Sequence, residues 1–240
     1  MSELLKVEKR GRTAILTMNN PPANTWTPES LAYLEEVIGE LNDESEKFFS
    51  AGADLTRFNH DNTGDAFDFI KAFGVAFEAL ASYEGVSIAA ITGFAMGGGL
   101  ECALACDIRI AEEQAQMALP ECTVGLLPGG LGTQHLPWLI GEGWAKRMIL
   151  LGERVKAAKA EVVPTGTALE KALELTAKVE KQSPTSVRLC KELTMSSRER
   201  GLSSGFKFER DAFMDLWGSE DQKEGVAAFV EKRSPEWKNG

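Results

Sequence analysis

The chain has few of the side chains that bind metal ions. It contains two histidines, His60 and His135, and four cysteines in 240 residues. Cys102 and Cys106 are four positions apart, but neither histidine lies near them in the sequence, so the spacing does not match a zinc site. We therefore expect no metal ion, and we expect the cysteines to be buried free thiols in a reducing compartment.

Positive charge is also scarce. Lysine and arginine together number 26 against 36 acidic residues, which gives a formal net charge of −10. This balance argues against nucleic acids and anionic membranes as main partners. It remains compatible with a polyanionic ligand, because a few local cations and the N-termini of helices can hold phosphate groups.

The chain lacks a hydrophobic run long enough to cross a membrane. Its longest apolar stretch, residues 86–100, contains four glycines and is shorter than the roughly 20 residues that a spanning helix needs. Charged residues near the N-terminus leave no apolar stretch for a signal peptide. These features predict a cytoplasmic protein.

Strand and helix signals alternate through the first part of the chain. Alternating residues predict a β-hairpin at 4–18, and Thr27 with Pro28 predicts the start of an amphipathic helix that ends near Leu41. Further predicted segments are a helix at 65–83, a strand at 86–91, a helix at 100–106 and strands at 107–111 and 116–119. From Gly132 onward the pattern is mostly helical. We predict an α/β core at 1–180 and a helical region at 181–240.

A glycine-rich turn, Gly97 to Gly99, lies between a predicted buried strand and a predicted helix. The first amides of a helix have no partner within the helix and carry partial positive charge. Glycine lets a ligand come close to such amides, so the turn can stabilise a carbonyl oxygen on which negative charge develops. A tight turn without a ligand, or a phosphate-binding loop, would show the same pattern.

Two glutamates accompany this turn. Glu101 falls one helical turn after Gly98 in an otherwise apolar segment, where a buried carboxylate needs a partner or a chemical role. Glu121 follows Pro120 at the end of a predicted strand. Taken singly, Glu101 could cap its own helix and Glu121 could be a solvated loop residue. Together, beside a turn that can bind a carbonyl, they favour acid/base chemistry.

Short motifs follow one another along almost the whole chain. They occupy residues 20–24, 49–55, 89–99, 106–107, 119–121, 128–133 and 224–233. In this order they resemble the enoyl-CoA hydratase/isomerase (crotonase) family. The resemblance implies a crotonase-like α/β fold, a spiral of ββα units with a helical C-terminal region for trimerisation.

The resemblance also implies roles for individual residues. The amides of Ala53 and Gly98 would form an oxyanion hole for the thioester carbonyl of an acyl-CoA. Glu101 would deprotonate a water molecule that attacks C3, and Glu121 would donate a proton to C2. The other contacts to substrate and CoA would come from Ala51, Asp54, Leu55, Thr56, Gly97, Phe229 and Lys232. Coenzyme A would enter as part of the substrate, so no separate cofactor is implied.

Relatives that only shift double bonds commonly keep one of the two carboxylates, so the pair favours hydration of a 2-trans-enoyl-CoA, a reaction of fatty-acid β-oxidation. The alternatives are an isomerase or another acyl-CoA lyase of the family, and a catalytically silent oligomer that binds CoA. The resemblance further implies a homo-oligomer, a trimer or a dimer of trimers.

Two stretches are shorter than the family pattern. A buried strand normally lies between the helix that ends near Leu41 and the loop at Phe48, yet only residues 42–46 intervene here. A similar shortage occurs around residues 157–163. Loss of a core strand would leave buried backbone groups unpaired. We therefore expect the natural protein to contain further residues at both places.

Overall fold

The computed structural model describes residues 4–10, 13–21, 24–44, 63–156 and 160–238. The chain divides into two units, Met1–Leu173 and Glu174–Gly240. The boundary at residue 180, and the roles given to the regions on either side of it, stay predictions. Residues 45–46 and 157–159 of the two short stretches in the family pattern lie outside the described residues.

The first unit carries every strand that the described residues form. Its strands are β1 (Leu5–Arg10), β2 (Thr13–Met18), β3 (Ile88–Ile91), β4 (Phe94–Met96), β5 (Ile108–Glu112), β6 (Gln116–Ala118), β7 (Val155–Lys156) and β8 (Glu161–Val163). Its helices are α1 (Pro28–Glu44), α2 (Thr63–Ala81), α3 (Gly98–Ala105), α4 (Gly132–Ile140), α5 (Glu142–Leu150) and the first part of α6 (Ala168–Val179).

From β3 to β6, successive strands alternate between two sheets. In one sheet β3 pairs with β5 and β5 with β8, both in parallel. In the other β4 pairs with β6 in parallel and β6 with β7 antiparallel. Each pair of consecutive strands, β3–β4 and β5–β6, thus contributes one strand to each sheet before the chain turns towards a helix. This is the predicted arrangement of ββα units. The short strands β7 and β8 lie in a region that was predicted only as mostly helical, and neither strand was predicted.

The predicted hairpin and first helices are confirmed. Strands β1 and β2 are antiparallel neighbours, and α1 begins at Pro28, directly after Thr27, whose Oγ1 accepts a hydrogen bond from the amide of Ser30 (3.2 Å). This is the N-capping pattern that the threonine–proline pair predicts. Helix α1 ends three residues beyond the predicted Leu41.

A row of aromatic side chains forms the core beside α2. Phe69, Phe73 and Phe77 follow one another at intervals of four residues, with ring centroids 5.1 and 5.5 Å apart in edge-to-face contact. Trp26 packs against Phe77 at 5.8 Å in the same geometry. All four side chains are buried. These aromatic contacts hold α2 in the core, and Phe77 borders the loop that precedes α4.

The second unit is helical in its described part. It contains the end of α6, α7 (Pro184–Ser196), α8 (Leu202–Leu216) and α9 (Glu220–Glu231). Buried Asp221 accepts a hydrogen bond from the hydroxyl of Ser183 (3.0 Å) and another from the amide of Lys238 (2.7 Å). These bonds join the start of α7 and the C-terminal segment to α9.

The cysteine prediction is right for two of four residues. Cys102 and Cys106 are buried, whereas Cys122 and Cys190 are exposed. Cys122 lies in a short turn at the surface and Cys190 on the exposed side of α7, so the preference of thiols for the core did not decide their positions. Within the described ranges, no helix combines the length and the apolar character needed to span a bilayer.

Buried Glu112 joins the end of β5 to the start of α6. Its carboxylate accepts hydrogen bonds from the Gln114 side chain (2.7 Å) and from the amide of Ala168, the first residue of α6 (3.3 Å). A backbone hydrogen bond from Gly166 is the main reason why the pKa of Glu112 is lowered. The ionised carboxylate therefore stabilises the N-terminus of α6.

We expect Glu112→Gln to lower the free energy of unfolding by about 1 kcal/mol at neutral pH, the usual size of a lost helix cap. Because the native pKa lies below the unfolded value, this stabilisation is present above the unfolded pKa and is lost as the pH falls through the native pKa. Urea unfolding at neutral and acidic pH measures the effect. Exposed Glu113 gives the control variant Glu113→Gln, and a loss of equal size at both pH values would contradict the role of charge.

Candidate active site

Parallel pairing of β4 with β6 brings the glycine turn and Glu121 together. Met96 lies opposite Ala118, the last residue of β6, and the amide of Gly97 extends the ladder by donating to the carbonyl of Ala118 (3.0 Å). The carboxyl ends of parallel strands meet at the same edge of a sheet, where ligands of α/β proteins commonly bind. The segments that follow the two strands therefore emerge side by side.

The turn between β4 and α3 depends on Gly97. Its φ of +54° is one that L-amino acids rarely adopt. The amide of Glu101 donates the first helical hydrogen bond, to the carbonyl of Gly97 (2.9 Å). The amides of Gly98, Gly99 and Leu100 precede that bond and have no acceptor within the helix. This is the position that the oxyanion-hole hypothesis requires of the Gly98 amide.

Glu101 lies one turn into α3, a helix whose eight residues are all buried. Its Oε1 accepts hydrogen bonds from the amides of Gly130 and Gly132, each at 2.8 Å. The pKa of Glu101 is raised to about 7: burial is the main cause, the charge of Glu121 adds to the increase, and the two amide hydrogen bonds oppose it. A carboxyl that titrates near neutral pH can hold or release a proton under physiological conditions.

Glu121 opens a short 3₁₀ turn, Glu121–Val124, and is half-buried. Burial raises its pKa, and in the described part of the chain no group forms a hydrogen bond with its buried Oε2. Its Oε1 would lie 2.9 Å from a β-carbon built on Gly97. Glu121 therefore packs against the glycine turn with one oxygen left for a ligand or water.

The structure brings Gly97, Gly98, Glu101 and Glu121 together in the first unit. The predicted residues Ala51, Ala53, Asp54, Leu55 and Thr56 lie outside the described residues. Phe229 and Lys232 lie at the end of α9 in the second unit, where Phe229 is 85% exposed and Lys232 is also exposed. Their contacts to CoA stay predictions.

Sequence reasoning missed the hydrogen-bond partners of Glu101. One alternative for Glu101 taken singly was that its carboxylate caps the helix to which it belongs. Its hydrogen bonds go instead to Gly130 and Gly132, in the loop before α4. Closely spaced glycines at 129, 130 and 132 are a sign of close backbone approach, but nothing in the local pattern shows which side chain approaches.

The family of the chain follows from its sequence. A family model described as enoyl-CoA hydratase/isomerase matches residues 8–240, so the chain belongs to this family. The match confirms the predicted family.

Curated relatives match this chain over nearly their whole length. The short-chain-enoyl-CoA hydratase of Clostridium acetobutylicum is 35% identical, with 96% of this chain and 95% of the relative covered. The 2,3-dehydroadipyl-CoA hydratase of Escherichia coli is 33% identical, with 99% of each chain covered. Both relatives are named as hydratases, enzymes of the lyase class.

Solved structures confirm the crotonase-like fold. DspI of Pseudomonas aeruginosa superposes with a TM-score of 0.95 at 52% identity, covering 99% of this chain and 97% of that protein. An enoyl-CoA hydratase from Bacillus anthracis superposes with a TM-score of 0.93 at 32% identity, covering 99% and 100%.

We expect Gly97→Ala to destabilise the protein by about 1–2 kcal/mol, because alanine is strained at this positive φ and its β-carbon would press on Glu121. Thermal or urea unfolding measures the loss. Gly93→Ala is the matched control, since a β-carbon there meets no atom within 4 Å. In a Glu121→Ala background the cost of Gly97→Ala should fall, because the steric part is removed. An unchanged cost would show that Glu121 does not touch the turn.

Proposed function

We propose that the protein is an enoyl-CoA hydratase, which adds water across the 2,3 double bond of a 2-trans-enoyl-CoA to form a 3-hydroxyacyl-CoA. The observation that carries this proposal is the pair Glu101 and Glu121, two carboxylates with raised pKa values beside the first amides of α3. Membership of the family and the hydratases among the relatives support a thioester of CoA as the substrate.

In this proposal the amides of Gly98 and Ala53 bind the thioester carbonyl oxygen. Polarising the carbonyl makes C3 electrophilic and stabilises the negative charge that develops as the enolate forms. A donor of this kind contributes about a hundred- to a thousand-fold in rate. The partial positive charge at the start of α3 adds to the effect because it acts on the same oxygen.

The two glutamates divide the proton transfers. Ionised Glu101 accepts a proton from water as the water oxygen bonds to C3, and neutral Glu121 donates a proton to C2. One water molecule is thereby added across the double bond, and the active site resets when a proton passes from Glu101 to Glu121. Each positioned acid or base contributes about a hundred- to ten-thousand-fold. A pKa of about 7 suits a base that acts near neutral pH, and the raised pKa of Glu121 favours the neutral form that a proton donor needs.

The isomerase and the silent CoA-binding oligomer are less well supported. An isomerase of the family commonly needs one carboxylate, whereas two lie beside the turn here. A silent protein has no need to bury Glu101, which is 3% exposed, because burying a carboxylate is costly.

Phe229 and Lys232 are assigned, by resemblance, to the adenine and phosphate end of CoA.

We expect Glu101→Gln and Glu121→Gln each to reduce hydration of crotonyl-CoA by about a hundred- to ten-thousand-fold, with binding of the CoA ester retained. The loss of absorbance of the conjugated thioester measures hydration, and Glu113→Gln serves as the control. Because Glu101 acts in its ionised form, parent activity should fall as the pH drops through about 7. Near-parent turnover in either variant would show that the replaced glutamate has a structural role.

We further propose a cytoplasmic homo-oligomer, a trimer or a dimer of trimers. Large apolar side chains are exposed in the second unit, including Phe213 (59%) on α8, Trp217 (63%) directly after α8 and Phe229 (85%) on α9. Such surfaces commonly mark interfaces. Light scattering at micromolar concentration is expected to give a mass three or six times that of the chain, and a monomeric mass would refute the proposal.

A further inference from the structure

The loop before α4 wraps around one oxygen atom of Glu101. The amides of Gly130 and Gly132 both donate to Oε1, each at 2.8 Å. The residue between them, Leu131, has φ +78° and ψ 0°, in the left-handed region. Oε2 takes no part in these two bonds.

The left-handed conformation of Leu131 explains this geometry. A residue in this region turns the amides on either side of it towards a common point, which forms a concave anion-binding site known as a nest. Leucine adopts such a conformation only at a cost, and strain of this kind persists where the surrounding structure enforces it. We call residues 130–132 the carboxylate nest.

The nest also depends on the absence of side chains next to the carboxylate. A β-carbon built on Gly132 would lie 2.8 Å from Oε1 of Glu101 and 3.0 Å from Cδ1 of Leu119. Leu119 is fully buried, so it has little room to move. Glycine at 132 therefore lets the amide reach the carboxylate in a densely packed region.

We infer that the carboxylate nest is a positioning device for catalysis, which fixes Oε1 of Glu101 and leaves Oε2 as the oxygen that takes the proton from water. The inference rests on the proposed function, because Glu101 is the base in that reaction. Gly130, Leu131 and Gly132 act through Glu101 and do not themselves touch the substrate.

The nest has an electrostatic consequence as well. Hydrogen bonds to an ionised carboxylate favour the charged form, whereas burial favours the neutral form. The two amide bonds hold the pKa of Glu101 down to about 7 despite its burial. Without them the carboxyl would be largely protonated at neutral pH and could not accept a proton. A link between α3 and α4 through groups other than this carboxylate would have no such effect on its titration.

The test compares Leu131→Pro with Leu131→Gly in the full-length protein. Proline holds φ near −65° and cannot form the nest, whereas glycine adopts the left-handed region readily. The measurement is kcat as a function of pH, and its acid limb is the range in which kcat falls as the pH is lowered. For Leu131→Gly we expect this limb to keep its position on the pH axis. For Leu131→Pro it should move upward by about one pH unit or more, with kcat at neutral pH reduced by about tenfold or more and KM little changed. An acid limb that stays in place in folded Leu131→Pro would overturn the inference.

A second variant tests the same contact by a substitution at Gly132. Gly132→Ala should displace Oε1 and shift the acid limb in the same direction as Leu131→Pro. Gly143→Ala in α5 is its control, because a β-carbon there meets nothing within 4 Å. Equal pH profiles for folded Gly132→Ala and Gly143→Ala would count against the nest.

A measurement on the parent protein needs neither these variants nor activity. Amide proton shifts of Gly130 and Gly132 are followed by NMR as the pH is changed. Both should titrate with one midpoint near pH 7, and both titrations should vanish in Glu101→Gln. Amides that do not respond to pH would overturn the inference even if the protein hydrates enoyl-CoA. Coupled titration in a protein without hydratase activity would refute the proposed function alone.

Discussion

The parallel pairing of β4 with β6 is the constraint on which the candidate site depends. Two parallel strands that lie side by side must end at the same edge, so the turn at Gly97 and the turn at Glu121 become neighbours. Because Gly97 also bonds to Ala118, the start of α3 is fixed relative to the end of β6. The first amides of α3 and the two carboxylates take their relative positions from this pairing.

Glu101 shows how a buried carboxylate can remain able to exchange a proton near neutral pH. Burial in a helix of eight buried residues opposes the charged form, while the amides of Gly130 and Gly132 favour it. The balance between these effects sets the pKa near neutrality. Burial also raises the pKa of Glu121, but this side chain is only half-buried, and its Oε2 has no hydrogen-bond partner among the described groups. Two carboxylates in different environments can thus take different roles.

Much of the fold could be predicted from local patterns, and the failures have physical reasons. Helix α1 was predictable because Thr27 and Pro28 mark its start and its apolar residues recur at helical spacing. Strand β8 was not predictable, because it has only three residues, two of them exposed, and its apolar and polar residues do not alternate. Cys122 and Cys190 were wrongly predicted to be buried, because their exposure depends on which face of a helix or turn packs against the core.

The sequence by itself determined the family, the order of most helices and strands, and the candidate residues Gly97, Gly98, Glu101 and Glu121, because these follow from residue types at short, fixed spacings. Only the tertiary structure decided what surrounds them. Gly130 lies 29 positions from Glu101 and Gly132 lies 31, and Leu131 adopts its left-handed conformation although leucine does not favour one. Such contacts depend on how distant segments pack, and packing is a property of the folded chain rather than of any local pattern.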